Sequence, residues 1–129
     1  MWAVLLALAA SVATGDGLSG DYRAVTETEY AIELRLEPSG RARLDFSGWE
    51  ADGAAPAWKE SHVGSWSSAG EQVELRLQSG RSARFKATRC LAHSEFGGAG
   101  CSPGLRLMET TFPDRYGLKR FGLWRSDGD

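Results

Sequence analysis

Charge of one sign is missing from this sequence: 15 Lys and Arg stand against 17 Asp and Glu, a formal net charge of −2. The basic residues, mostly Arg, alternate with acids instead of clustering. No basic face or stripe of a nucleic-acid binder can be drawn from them, and no like-charge run marks a disordered tail. Apolar runs are short, well under the roughly 20 residues that a membrane-spanning helix requires, so no stable membrane insertion is expected. Histidine and cysteine are scarce, two of each. A zinc site on Cys90, His93 and Cys101 lacks an evident fourth ligand, because His62 falls on a different predicted element. Helical periodicity is absent beyond the N-terminal segment. No residue set amounts to a catalytic or metal-binding signature, so the expectation is no enzyme, no metal and no cofactor.

The N-terminal segment runs from Met1 and Trp2 through an apolar stretch, Ala3 to Ala10, into Ser11-Val12-Ala13. Small residues at Ser11 and Ala13 fit a signal-peptidase site, which predicts a signal peptide over 1–13 and a cut before Thr14. No Lys or Arg precedes the apolar run, which leaves a packed N-terminal strand or helix as the alternative. No lipobox-type cysteine follows it. The expected product is a soluble periplasmic or secreted protein, a monomer with one domain over 14–129, able to bury about two thirds of its unfolded surface. In an oxidising compartment Cys90 and Cys101 are expected to form a disulfide. Closing that loop would remove unfolded-state entropy worth about 3 kcal/mol in the chain-entropy model.

One phrase occurs twice: "ELRLEPSGRARLDF" from Glu33 to Phe46, and "ELRLQSGRSARF" from Glu74 to Phe85. Ile32, Leu34 and Leu36 alternate with Glu33, Arg35 and Glu37; Val73, Leu75 and Leu77 alternate with Glu74, Arg76 and Gln78. A period of two marks half-buried β-strands. Each strand then meets "SGR", whose Gly supplies the positive φ of a tight hairpin turn. A second alternating strand returns, through Ala42, Leu44 and Phe46 or through Ala83, Phe85 and Ala87. Both ancient duplication and convergence of amphipathic hairpins account for the repeat.

Further strands are expected at Gly20–Val25, His62–Ser67, Gly104–Phe112 and Gly117–Arg125, with Glu50–Trp58 as an irregular insertion at one rim. About eight strands with short connections favour pairing between sequence neighbours. Closure removes the two exposed edges of an open sheet. The predicted fold is all-β: a single antiparallel meander closed into a lipocalin-like β-barrel.

The "GDY" of Gly20-Asp21-Tyr22 resembles the Gly-x-Trp that opens the first strand of lipocalins and other calycins. The order of Gly-x-aromatic, Ser-Gly turn and "GSW" is also similar to bacterial envelope proteins with a lipocalin-like barrel. The resemblance implies a basic residue from the last strand, Arg120 or Arg125, packed over the Tyr22 ring. Tyr22 stands where lipocalins have Trp, and no Cys-x-x-Cys occurs at Thr26–Tyr30, so copper binding is not implied. "SGRSARF" (Ser79–Phe85) grazes the Ser-Gly-x-x-Tyr loop of periplasmic lysozyme inhibitors, with the aromatic displaced.

Candidate ligand-binding residues follow from the faces of these strands. Tyr22, Trp66 and Trp124 would wall an apolar pocket, with His62 and Arg120 as polar handles; the alternative is a core filled by the same side chains. The Gly-rich loop "EFGGAGCSPG" lacks the context of a phosphate cradle. Pinned by Cys90 and Cys101, it would instead present Phe96 to a protein partner, or fold Phe96 back over the barrel end. His93-Ser94-Glu95 carries the letters of a hydrolase triad, but adjacency in sequence is the wrong geometry. Glu27 and Glu29 read as surface charges. The expected function is a non-enzymatic exported module binding a small apolar molecule or an envelope protein. The alternative is an inhibitor of a lysozyme-type hydrolase.

Overall fold

The structure, a computed structural model, describes residues 16–25, 30–49, 56–93, 100–113 and 122–126. The expected leader, Phe96 and Arg120 lie outside the described residues, as do Glu27 and Glu29. Eight antiparallel strands form one closed barrel: β1 (Gly20–Val25), β2 (Tyr30–Leu36), β3 (Arg41–Trp49), β4 (Pro56–Ala69), β5 (Gln72–Leu77), β6 (Ser82–Ala92), β7 (Cys101–Thr110) and β8 (Leu123–Arg125). Each strand pairs with its sequence neighbours, and β8 returns to β1. The up-and-down meander expected from the alternation is the observed fold. A 3-10 turn at Asp16–Leu18 precedes β1.

Alternation decides which side chains enter the barrel. Ile32, Leu34 and Leu36 from β2, Leu44 and Phe46 from β3, Val73 and Leu75 from β5, Phe85 from β6 and Leu105 from β7 are all buried. The intervening Arg and Glu residues remain on the wet face, where some pair. Arg35 bonds Asp21 directly across the β1–β2 ladder at 2.8 Å, and Arg84 meets Glu109 across β6–β7 at 3.1 Å. Asp21, through its hydrogen bond and its charge, raises the pKa of Arg35. Such exposed pairs contribute a few tenths of a kcal/mol each.

The two copies of the repeated phrase build the same turn. Glu37 N–H donates to Arg41 O at 2.9 Å and Gly40 N–H to Glu37 O at 2.9 Å. Leu77 N–H donates to Arg81 O and Gly80 N–H to Leu77 O, both at 3.0 Å. Gly40 (φ 95°) and Gly80 (φ 91°) occupy the left-handed region at matching positions. The hairpins nonetheless lie three strands apart, β2–β3 against β5–β6, so in an antiparallel barrel they point to opposite ends. Doubling a four-strand unit would leave the copies four strands apart and pointing the same way. The placement therefore favours convergence.

Two local departures from the expected strands shape the ends. β4 starts at Pro56, so the end of the anticipated irregular insertion is strand that pairs with β3 beyond the reach of β5. The Trp58 indole fills the space over Gly48, where a Cβ would come within 2.3 Å of it. In β6 the register shifts between Thr88 and Leu91, a bulge that re-aims the residues after it.

Candidate functional site

The barrel has a closed end and a mouth. At the closed end the register sets Arg125 opposite Tyr22, both facing inward. The Arg125 guanidinium lies 5.5 Å from the centre of the Tyr22 ring and donates to the carbonyls of Gly17 and Ser19. The Tyr22 hydroxyl donates to Leu18 O at 2.8 Å. The 3-10 turn is thereby stitched across the barrel floor. Of the two arginines expected over Tyr22, Arg125 occupies the position.

Trp66 is 4% exposed and belongs to the core. Its Nε1–H donates to Glu37 O at 2.7 Å and its backbone N–H to Gly40 O at 2.9 Å, which locks the β2–β3 turn onto β4. Trp124 is only partly buried and packs against the core cluster that contains Tyr22 and Trp66. It pairs with Arg23 and Gly104 in register, and so stands on the outer face with Arg23. Its indole N–H donates to Leu91 O at 3.0 Å, and its ring lies 6.0 Å from that of His93. Gly104 leaves room for this crossing, since a Cβ there would meet Leu91 Cδ2 at 2.8 Å and Leu123 O at 2.5 Å.

The disulfide Cys90–Cys101 forms beside that cluster. Both sulfurs are consumed by it, which leaves the zinc alternative without thiolates. His93 N–H donates to Gly100 O at 3.1 Å, and His93 Nε2 bonds the Ser102 hydroxyl at 2.8 Å. The base of the 94–99 connection is thus braced from both sides.

At the mouth, His62 faces inward from β4 with its side chain only 10% exposed. Phe46 and Phe112 contact the imidazole edge-on, at centroid distances of 6.0 and 5.0 Å. Its Nε2 bonds Glu60 Oε2 at 2.8 Å and its Nδ1 bonds Ser79 Oγ at 2.9 Å. A carboxylate only accepts, so Nε2 carries the proton in the neutral ring and Nδ1 is left to accept from the Ser79 hydroxyl. Arg81, on the same turn as Ser79, donates to Thr111 O at 2.7 Å and stands 6.0 Å from the Phe112 ring centre. Ser79, Glu60, Phe46, Phe112 and Trp58 were not legible as site residues. Ser79 lies 17 positions from His62, and only the β4–β5 register joins them.

The barrel interior is occupied. Phe46, Phe85, Leu34, Leu36, Leu44 and Leu75 point inward with no more than 1% exposure. Hollows of about 590 and 400 Å³ lie on the outer wall, lined by alternating Arg and Glu or Asp. A third, of about 330 Å³, opens at the closed end beside the 3-10 turn, Arg125 and Thr88. Among the described residues no group of three or more His, Cys, Asp or Glu is placed to hold a metal ion.

Fold and ends together define a disulfide-bonded, up-and-down eight-stranded β-barrel with a side-chain-filled interior. No protein-family model, curated protein or solved structure matches the chain.

Proposed function

We propose that the protein is an exported binding module of lipocalin-like build that engages an envelope protein through the rim of its mouth. The filled interior carries this reading: with Phe46, Phe85 and the inward leucines fully buried, recognition falls to the ends. Trp58, 38% exposed on the part of β4 that projects past β5, is the aromatic anchor such a rim requires. The Cys90–Cys101 disulfide supports an oxidising compartment. The Arg125–Tyr22 contact supports calycin kinship. The experiment is site-specific photo-crosslinking in the envelope, with the probe at Trp58 or, on the outer wall, at Ser65. One defined partner trapped from position 58 and not from 65 is expected. Saturable one-to-one uptake of an apolar fluorescent dye, without any such partner, would replace this reading with that of a small apolar ligand.

A second reading has its own observation. The disulfide, the Trp124–Leu91 bond and the two His93 bonds stiffen the base of the 94–99 connection, as a loop inserted into a hydrolase cleft requires. Inhibition of lysozyme that disappears when 94–99 is shortened would establish it; unchanged lysozyme turnover at saturating protein would remove it.

A further inference from the structure

We propose that Ser79 is an activated nucleophile, and that the mouth captures acyl groups from small esters through a Ser79–His62–Glu60 relay. The hydroxyl, the imidazole and the carboxylate form an unbroken chain, 2.9 Å from Ser79 Oγ to His62 Nδ1 and 2.8 Å from Nε2 to Glu60 Oε2. That is the connectivity of nucleophile, base and orienting acid. The two ring nitrogens exchange the roles they have in serine proteases, which leaves the proton path intact. The base is shielded by Phe46 and Phe112, while Ser79 is exposed on its turn.

In the step itself, Ser79 Oγ bonds to the ester carbonyl carbon as its proton passes to Nδ1. Glu60 holds the resulting imidazolium. Collapse breaks the bond to the leaving alkoxide, which takes the proton from Nδ1 and departs as an alcohol. An acyl-Ser79 remains. This goes beyond binding, and stoichiometric capture is sufficient for it.

The protein contains its own control. Ser39 sits in the twin turn with the same backbone hydrogen bonds, and each serine's Oγ accepts from the N–H two residues on at 3.4 Å. No histidine among the described residues bonds Ser39; His93 bonds Ser102 instead. The native protein is treated with an alkyl fluorophosphonate and the adducts are located by peptide mass spectrometry. Ser79 is expected to react at least about 100-fold faster than Ser39, the size of a general-base contribution. His62→Gln is expected to reduce Ser79 to the Ser39 rate, and Glu60→Gln to lower it less and alter its pH profile. Burst release of p-nitrophenol from p-nitrophenyl acetate, absent in Ser79→Ala, supports the same conclusion. Equal labelling of Ser39 and Ser79 in the native protein overturns the proposal, even where His62→Gln fails to fold. So does labelling that survives His62→Gln in a folded variant.

Discussion

Gly64 bears no side chain because β5 passes directly beside it: a Cβ would sit 2.0 Å from Arg76 O and 2.7 Å from Leu77 Cα. Those neighbours are backbone and cannot swing aside, so Gly64→Ala is expected to destabilise by about 3 kcal/mol, measured by urea unfolding. Arg125 acts as a floor clamp. Arg125→Met loses a ring contact and two charge-assisted hydrogen bonds to carbonyls, an expected loss of about 3 kcal/mol. Arg125→Lys should recover less than half of it, since one ammonium does not reproduce the planar fork that reaches both carbonyls. Full recovery by Lys would show that charge alone is at work there. Of these residues, Tyr22 and a basic partner from the last strand were legible in advance through a resemblance, with Arg120 and Arg125 both open. Gly64 was not, since nothing in a lone glycine says which strand presses on it.

Strand β6 changes character along its length. As far as Thr88 it alternates like any barrel strand; after the bulge Leu91 packs outside the barrel against Gly104 and Gly122, and Trp124 bonds its carbonyl. The disulfide ties this outer flap to β7. Cys90→Ser with Cys101→Ser is expected to lower stability by about 3 kcal/mol through a freer unfolded chain. It should also shift Trp124 emission to the red as the flap loosens. An unaltered emission spectrum would mean that the Leu91–Trp124 contact holds without the disulfide. Alternation says which residues share a face, not which face turns inward; in β8 the fully buried Leu123 takes the inside, which puts Trp124 on the other face. β4 was shortened in the sequence reading because a strand that begins at Pro56 starts on a residue usually read as a strand breaker, although Pro56 pairs with Trp49.

For the barrel as a whole, closure is the thinnest seam. β8 has three residues and meets β1 at two register pairs, Tyr22–Arg125 and Arg23–Trp124. A short ladder opens first, so the amides of β8 are expected to exchange fastest among the strands. A chain ending at Phe112 would leave β1 and β7 with unpaired edges, and should self-associate on size exclusion while retaining β signal. A monomeric, protected truncation would contradict that account of closure. The filled axis makes a further expectation: native protein should not take up an apolar dye, and uptake should rise only through the unfolding transition.

The order of side chains along β1, β2, β3 and β5 was set by the sequence, because a strand exposes alternate residues to opposite faces and the apolar ones must leave water. The hairpin turns were set there too, since Gly40 and Gly80 hold backbone angles that residues with side chains avoid. Tertiary structure alone decided that the interior is full, that Arg125 lies over Tyr22, and that Ser79, His62 and Glu60 meet at the mouth. Those outcomes depend on barrel circumference, ladder register and bulges, which arise from many weak pairings summed around a ring and leave no mark at any single position.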